Sequence, residues 1–269
     1  MKKAVLVGMS NGKPLNQKRR VNQVVRELKA IDIFSEVIVD ASVYINVRTG
    51  VTLEAEERAN VLMDYLVDPS VGAIFDVSGG DMANTIVPYL DIKKIQKSKV
   101  HFFGYSDVSV LLNILTTKTD CTVWNFPVMT LAGPYHELQT ERLRDVLQGN
   151  YQGPVILGGN IRCTLKLAGT PYWPDLVNQT LLIEAFSGSY EKVMSMLCQY
   201  EMIGAFKEAS MVLVGRFTEL EKANRKELIM EHLQRLANEY HFTVQETYQI
   251  GHIPNSIPVK YAKPHSSVR

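Results

Sequence analysis

Residues 99–112, KVHFFGYSDVSVLL, hold three successive local patterns that decide the fold of the chain around them. Residues 100–103 are mostly large and apolar, which predicts a short buried strand. Residues 104–107, Gly-Tyr-Ser-Asp, have the composition of a turn, and the apolar positions in 108–112 have helical spacing. The stretch therefore predicts one strand–turn–helix unit of an α/β sheet, with a serine in its turn.

The turn at residues 104–107 has two interpretations. Ser106 is either a nucleophile raised above the sheet or an ordinary part of a loop. In the first case Gly104 leaves room beside the hydroxyl, and the amides that begin the next helix are directed at an oxyanion. In the second case Ser106 or Asp107 caps that helix. Because serine and aspartate are common caps, this stretch alone favours the second interpretation.

Outward from this unit, strands and helices alternate along the first half of the chain. The predicted strands are residues 4–8, 36–40, 72–77 and 121–126, and the predicted helices are residues 15–30, 53–66 and a segment ending at 86–90. This alternation predicts an α/β fold with an open, mostly parallel sheet and helices on both faces. Ligands bind such sheets at the carboxyl ends of the strands, where residues 78–81 and 104–107 would both lie.

The composition of the chain changes after a polar helix predicted over residues 136–147. Turn-forming residues from 148 to 160 indicate a connection that contains one short helix, residues 161–167. Beyond it, strands are predicted at 180–185, 211–215 and 243–250, and helices at 190–202 and 220–240. We therefore predict an N-terminal α/β domain over residues 1–148, a linker over 149–175 and a smaller mixed α/β domain over 176–269.

The overall composition excludes several classes of protein. The chain has 269 residues, of which 46% are hydrophobic, and a net charge of +1, so we expect neither a nucleic-acid nor a membrane partner. The apolar run after Met1 ends by Asn11, which is short for a secretion signal or a membrane span. Three widely spaced cysteines suit a reducing cytoplasm and offer no metal-binding pattern. We expect no metal and no cofactor.

Three further features could carry chemistry. Gly79-Gly80 follows a strand, where bare amides could approach a ligand, although the pair alone slightly favours a tight turn. Glu184 ends an apolar strand and His252 lies in a glycine-led loop; singly, a solvated loop acid and a histidine bonded to backbone are the commoner outcomes. Taken with Ser106, they supply the nucleophile, base and acid of an activated hydroxyl.

The other histidines are weaker candidates for the base. His101 lies in the body of the strand before Ser106, so its side chain should not reach the turn. Four more lie in or near polar segments and are predicted at the surface: His136, His232, His241 and His265. His252 is therefore the preferred partner of the serine.

The motifs, taken in order, resemble those of the LD-carboxypeptidases, which include murein tetrapeptide carboxypeptidases and microcin C immunity peptidases. The resemblance runs from Leu6 to Pro258 and is carried by Gly79-Gly80, residues 88–91 (PYLD), 104–107 (GYSD), 157–160 (LGGN), 167–174 (LAGTPYWP), Glu184 and Gly251-His252. It implies a flavodoxin-like or amidotransferase-like N-terminal domain that carries the serine. It also implies a C-terminal domain that brings the acid and the base to it, commonly in a homodimer.

The resemblance also implies a mechanism for the site. Ser106 would attack a C-terminal amide bond, with His252 as general base and Glu184 orienting His252. The backbone amides of Asp107 and of Gly79 or Gly80 would stabilise the oxyanion. The substrate would be a murein-derived peptide, a peptidyl-nucleotide-like conjugate or another acyl amino-acid conjugate.

Some positions depart from the family pattern and bear on the substrate. Ser78 stands where the murein branch usually has arginine, and Gly79-Gly80-Asp81 is closer to the immunity branch. Phe126 replaces a common glycine, and Lys260 lies in a segment where a glycine usually follows Leu-Pro. These departures motivate an alternative function, a non-catalytic protein that binds a small ligand or peptide in the same two-domain cleft.

Overall fold

The computed structural model describes residues 1–263, and its strands form one sheet. They are β1 (Lys2–Val7), β2 (Phe34–Val39), β3 (Val71–Asp76), β4 (His101–Gly104), β5 (Thr122–Asn125), β6 (Val155–Asn160), β7 (Thr180–Ala185), β8 (Met211–Phe217), β9 (Thr243–Glu246) and β10 (Val259–Tyr261). Their order across the sheet is β2-β1-β3-β4-β5-β10-β6-β7-β8-β9. Every adjacent pair is parallel except β5 and β10, which confirms the predicted mostly parallel sheet.

Helices cover both faces of this sheet, as predicted. They are α1 (Lys18–Ala30), α2 (Ala55–Val67), α3 (Ile92–Ile95), α4 (Ser109–Lys118), α5 (His136–Leu147), α6 (Ile161–Leu165), α7 (Tyr190–Met202), α8 (Ala205–Glu208), α9 (Thr218–Lys222) and α10 (Lys226–Tyr240). One hydrophobic cluster contains the buried side chains of α1 and α5, and a second contains those of α2, α4, α7 and α10. Within residues 1–263, none of the helices combines the length and the apolar character needed to cross a membrane.

The strand before the predicted nucleophile, β4, is held from both faces. Phe102 belongs to the cluster on one face and Phe103 to the cluster on the other, because successive side chains of a strand point in opposite directions. Phe103 also stacks on Phe75 of β3, with ring centroids 4.6 Å apart. Burying each of these rings contributes about 1.5–3 kcal/mol, so the turn after β4 starts from a fixed position.

The two halves of the chain share the sheet through β10. Its Val259 pairs with Asn125 of β5 in antiparallel register, and its Tyr261 pairs with Ile156 of β6 in parallel register. The last described strand of the chain therefore lies between the N-terminal and the C-terminal strands. The domain boundaries expected from the sequence stay predictions, but this strand ties the two predicted domains together.

Strand β6 lies inside residues 149–175, which the sequence predicted as a connection. The glycines that suggested a loop allow two close approaches, that of Gly158 to the neighbouring strand β7 and that of Gly159 to the start of helix α4. A Cβ on Gly158 would come within 2.5 Å of the Leu182 carbonyl oxygen, and a Cβ on Gly159 within 2.6 Å of Ser109 Oγ. Their φ angles of +91° and +117° also favour glycine.

Several element boundaries also differ from the predictions. The helix predicted over residues 220–240 is interrupted between α9 and α10, where Asn224 has a φ of +53°. The segment Ala83–Tyr89 is a 3-10 helix and contains Pro88, whose ring removes a backbone donor. The strand predicted over 243–250 ends at Glu246. His265, predicted at the surface, lies outside the described residues.

Candidate active site

Ser106 occupies a strained turn directly after β4. Its φ is +59°, a left-handed conformation that costs a residue with a side chain about 1–3 kcal/mol. A short 3-10 helix, Ser106–Val108, follows and leads into α4. A Cβ at Gly104 would lie 2.6 Å from Val108 Cγ1, so only glycine lets the chain fold back this closely. The turn has the shape that exposes a serine hydroxyl at the end of a strand.

The three residues predicted as a catalytic set lie in hydrogen-bonding contact. Ser106 Oγ is 3.1 Å from His252 Nε2, and His252 Nδ1 is 2.8 Å from Glu184 Oε2. Glu184 is the next-to-last residue of β7 and is 1% exposed, whereas His252 comes from the loop after β9. Gly251 has a φ of +147°, and a Cβ there would lie 2.5 Å from Arg216 Cβ, so the glycine lets the histidine loop approach β8.

Two further side chains hold the carboxylate of Glu184. The Asn160 amide donates to Oε1 at 3.0 Å, and the Tyr105 hydroxyl donates to Oε2 at 3.0 Å. Burial, with the nearby Glu184 charge, holds the pKa of Tyr105 well above its usual value, so its hydroxyl stays a donor. With Tyr105 and His252 Nδ1–H both donating to Glu184, Nε2 is left to accept the Ser106 proton.

Sequence reasoning gave no role to Tyr105 or Asn160, although both lie in motifs that it quoted. The signal for Asn160 is register, because it ends β6 directly beside Glu184 at the end of β7. Tyr105 precedes Ser106 in the turn, and nothing in the sequence indicates where its hydroxyl points. His101, by contrast, lies where predicted, away from the turn and 3.4 Å from the indole nitrogen of Trp124.

The side chain of Asp107 faces away from the catalytic set. Its fully buried carboxylate forms an ion pair with Lys166 at 2.5 Å and accepts from Ser10 Oγ at 2.6 Å and the Ala83 amide at 2.8 Å. Burial alone would raise the pKa of Asp107, but these donors outweigh it and the pKa is lowered. The carboxylate therefore anchors the serine turn to neighbouring loops.

The two glycines after β3 have different surroundings. Gly79 faces the same cavity as Ser106, and its carbonyl accepts from the Asn11 amide at 3.2 Å. Gly80 has a φ of +124°, and a Cβ there would collide with Asn11 Oδ1 at 2.0 Å. The Gly80 carbonyl accepts from Arg162 at 3.2 Å, and Arg162 also pairs with Asp81. The turn is thus fixed from both sides.

A cavity of about 220 Å³ lies beside the Ser106 hydroxyl. It is lined by Lys13, Asp76, Val77, Ser78, Gly79, Tyr105, Ser106, Pro127, Val128, Met129 and His252. Burial raises the pKa of Asp76 to about 6, although hydrogen bonds from Ser78 and the Met9 amide oppose this. In residues 1–263, no group of three or more His, Cys, Asp and Glu side chains is arranged to hold a metal ion.

Family comparisons match both halves of the chain. The sequence model of the LD-carboxypeptidase N-terminal domain matches residues 5–125, and that of the LD-carboxypeptidase C-terminal domain matches residues 152–265. The first region contains Ser106, and the second contains Glu184 and His252. The two matches therefore cover all three residues that the structure brings into contact.

Individual proteins match this chain with low sequence identity but with closely similar folds. YocD of Bacillus subtilis (strain 168), whose name assigns it to the carboxypeptidases, is 27% identical over 209 residues. The match covers 60% of this chain and 62% of YocD, so the chain spans less than two thirds of that relative.

Two solved structures have closely similar folds. MccF in complex with glutamyl sulfamoyl guanosine superposes with a TM-score of 0.82 at 16% identity, over 97% of this chain and 91% of MccF. The muramoyltetrapeptide carboxypeptidase from Oxalobacter formigenes superposes with a TM-score of 0.79 at 19% identity, over 96% of this chain and 92% of the other. At these identities the similarity establishes the α/β fold.

Proposed function

Because this chain belongs to the LD-carboxypeptidase family, we propose that it is a serine carboxypeptidase that hydrolyses a C-terminal amide bond. The observation that carries the proposal is the continuous contact from Ser106 through His252 to Glu184, at 3.1 and 2.8 Å. A serine hydroxyl is too weakly acidic to attack unaided. It needs an imidazole to take its proton and a carboxylate to hold that imidazole in the correct tautomer.

The proposed reaction has two halves that use the same three residues. Ser106 Oγ attacks the carbonyl carbon while its proton moves to His252 Nε2, and Glu184 stabilises the resulting imidazolium. His252 then gives this proton to the leaving amine, and the amide bond breaks to leave an ester on Ser106. A water molecule, deprotonated by His252, hydrolyses the ester and frees the serine.

We assign stabilisation of the oxyanion, in both halves of the reaction, to backbone amides. Gly79 lines the cavity with Ser106, and an antiparallel bridge to Asn11 fixes its backbone there. The Asp107 amide begins the short helix after Ser106, where first-turn amides have no acceptor within the helix. Each such donor supplies about 3 kcal/mol of transition-state stabilisation. Of the two glycine candidates only Gly79 lines the cavity, so we assign the role to Gly79 together with the Asp107 amide that follows the nucleophile.

The substrate is proposed from three chemical classes: a murein-derived peptide, a peptidyl-nucleotide-like conjugate and another acyl amino-acid conjugate. The similar proteins include one named for a muramoyltetrapeptide and one bound to an aminoacyl sulfamoyl nucleoside. A hydrolysis screen with one compound of each class, read by mass spectrometry, assigns the class. The homodimer implied by the family resemblance and the cytoplasmic location indicated by the cysteines stay predictions, and light scattering of the purified chain tests the former.

Reaction with a fluorophosphonate probe tests the catalytic proposal without knowledge of the substrate. We expect wild-type protein to be labelled at Ser106 and Ser106→Ala to be neither labelled nor active, with an unchanged circular dichroism spectrum. Ser210→Ala removes an exposed serine at the opposite end of β8 and serves as the matched control. A wild-type protein that is folded, unlabelled and inactive on all three classes would instead be a binding protein.

A further inference from the structure

Lys13 is a cavity residue to which neither the sequence motifs nor the proposed reaction assigns a role. It lies in the loop after β1 and lines the 220 Å³ cavity together with Ser106 and His252. Its backbone is fixed on both sides, since its amide donates to the Val43 carbonyl at 2.7 Å and its carbonyl accepts from the Ile45 amide at 3.0 Å. The root of this long side chain is therefore held in place beside the nucleophile.

The ammonium of Lys13 has no partner at contact distance among residues 1–263, although it is half-buried. The acid in the same cavity, Asp76, is already occupied. Its Oδ2 accepts from the Met9 amide at 2.7 Å, and its Oδ1 accepts from the amide and the hydroxyl of Ser78 at 2.7 and 2.6 Å. The cavity thus contains a cation that no carboxylate of the described residues, 1–263, contacts.

The electrostatics of Lys13 favour the arrival of an anion. Its pKa is lowered, first because burial disfavours the ammonium and, to a smaller extent, because Arg20 repels it, while the charge of Asp76 opposes both effects. A ligand carboxylate at contact distance would supply the partner that the site lacks. Charge-assisted hydrogen bonds of this kind are about twice as strong as neutral ones.

The remaining walls limit the size and character of the ligand. Pro127, Val128 and Met129 give the cavity an apolar side. A volume of 220 Å³ equals that of about seven liquid water molecules, which is room enough for one small amino acid. The cavity combines a nucleophile, a cation and an apolar wall, which together complement a small amino acid that carries a free carboxylate.

We propose that Lys13 is the specificity residue that binds the free C-terminal carboxylate of the substrate. The leaving group is then a single small amino acid whose side chain contacts Pro127, Val128 and Met129. This assignment rests on the proposed carboxypeptidase function and explains how the site would select the last residue of a chain over an internal bond. Lys13 acts on the leaving group and takes no part in proton transfer, which remains with His252.

Matched substrates separate this role from a general effect on the site. The substrate found in the hydrolysis screen is compared with its C-terminal carboxamide, which has the same shape without the charge. We expect Lys13→Met to lower kcat/KM for the free acid by about 10- to 100-fold, and to abolish the preference for acid over amide. Lys13→Arg should retain most of the preference, and Lys18→Met, at an exposed lysine of α1, should retain all of it.

Labelling of Ser106 by the fluorophosphonate distinguishes the two proposals. If the wild type is labelled, Lys13→Met should be labelled at the same rate, because the probe has no carboxylate for Lys13 to bind. An unchanged acid-over-amide preference in Lys13→Met would overturn the assignment. So would a variant in which kcat/KM for both substrates and the rate of labelling all fall by the same factor. A wild type that is neither labelled nor active would contradict the carboxypeptidase function itself, and the role of Lys13 with it.

Discussion

Glu184 and Asp107 are both buried carboxylates near the serine, and each accepts three hydrogen bonds. Asp107 is adjacent to Ser106 in sequence, yet its donors are Lys166, Ser10 and the Ala83 amide. Its charge is therefore balanced permanently by a lysine.

Glu184 is distant in sequence, and among residues 1–263 no lysine or arginine pairs with it. Its donors are the neutral Asn160 and Tyr105 and the ring of His252. Its charge is compensated by an ion only when His252 carries a proton, which in the proposed mechanism happens at the transition state. In the proposed mechanism, the carboxylate without a fixed counter-ion therefore serves catalysis, and the other holds the scaffold.

Replacing Glu184 by glutamine should have the largest effect and leave the fold intact. The amide keeps the size of the side chain and removes the charge that stabilises the imidazolium. We expect kcat to fall by about 10⁴-fold, equal to about 5 kcal/mol of barrier, as for the equivalent change in other triads. Steady-state rates measure this loss, and an unchanged melting temperature shows that the fold is intact. A loss of tenfold or less would contradict the role of Glu184.

Replacing Asp107 by asparagine should lower stability more than activity, the reverse of what we expect for Glu184→Gln. The side chain of Lys166 is 17% exposed, and its ammonium would lose the carboxylate that compensates it. Removing one partner of such a buried pair costs about 3 kcal/mol of unfolding free energy. Urea denaturation measures the loss. Activity should fall less than in Glu184→Gln, because the backbone of residue 107 is unchanged.

The pH dependence of stability is the control for this interpretation. The pKa of Asp107 lies below its ordinary value of 3.8 in the folded protein, so the unfolded chain binds the proton more readily. The stabilisation is therefore complete above about pH 4 and is lost as the pH falls through the folded pKa. In the asparagine variant this part of the acid-induced decline should disappear. A decline identical to that of the wild type would show that Asp107 does not contribute to it.

The sheet and the three catalytic candidates were predictable from the sequence because they depend on short-range patterns. Alternating apolar strands and helices give the layers, and the order of the motifs indicates Ser106, Glu184 and His252. Strand β6 was missed because its Gly158-Gly159 pair has the composition of a loop. Its glycines are required by the close approach of Leu182 and Ser109, which only the folded structure shows.

The partners of the candidate residues were less predictable, because contacts between residues distant in sequence show only in the folded structure. Adjacency to Ser106 says nothing about which way the carboxylate of Asp107 turns, and its pairing with Lys166 joins residues 59 positions apart. Lys13 has no motif around it and gains its importance from a shared cavity. Directions of side chains and long-range charge pairs follow from packing, which local sequence patterns do not encode.

Tyr105→Phe should give the smallest effect and show how far Glu184 depends on its neutral donors. The variant removes one hydroxyl, 3.0 Å from Glu184 Oε2 and 2.9 Å from His252 Nδ1, and keeps the ring that packs on His252. Asn160 and His252 still donate to the carboxylate, so we expect kcat to fall about 10-fold with little change in KM.

A purely structural role for Tyr105 would not alter the pH–rate profile, which therefore decides between the two roles. Loss of the hydroxyl leaves Glu184 with one donor fewer, so its charge is less shared and its attraction for the imidazolium is greater. His252 must be neutral to accept the Ser106 proton, so the acidic limb of kcat/KM reports it, and this limb should move to higher pH in Tyr105→Phe. If the rate falls while this limb stays fixed, the hydroxyl positions the histidine ring without tuning the charge beside it.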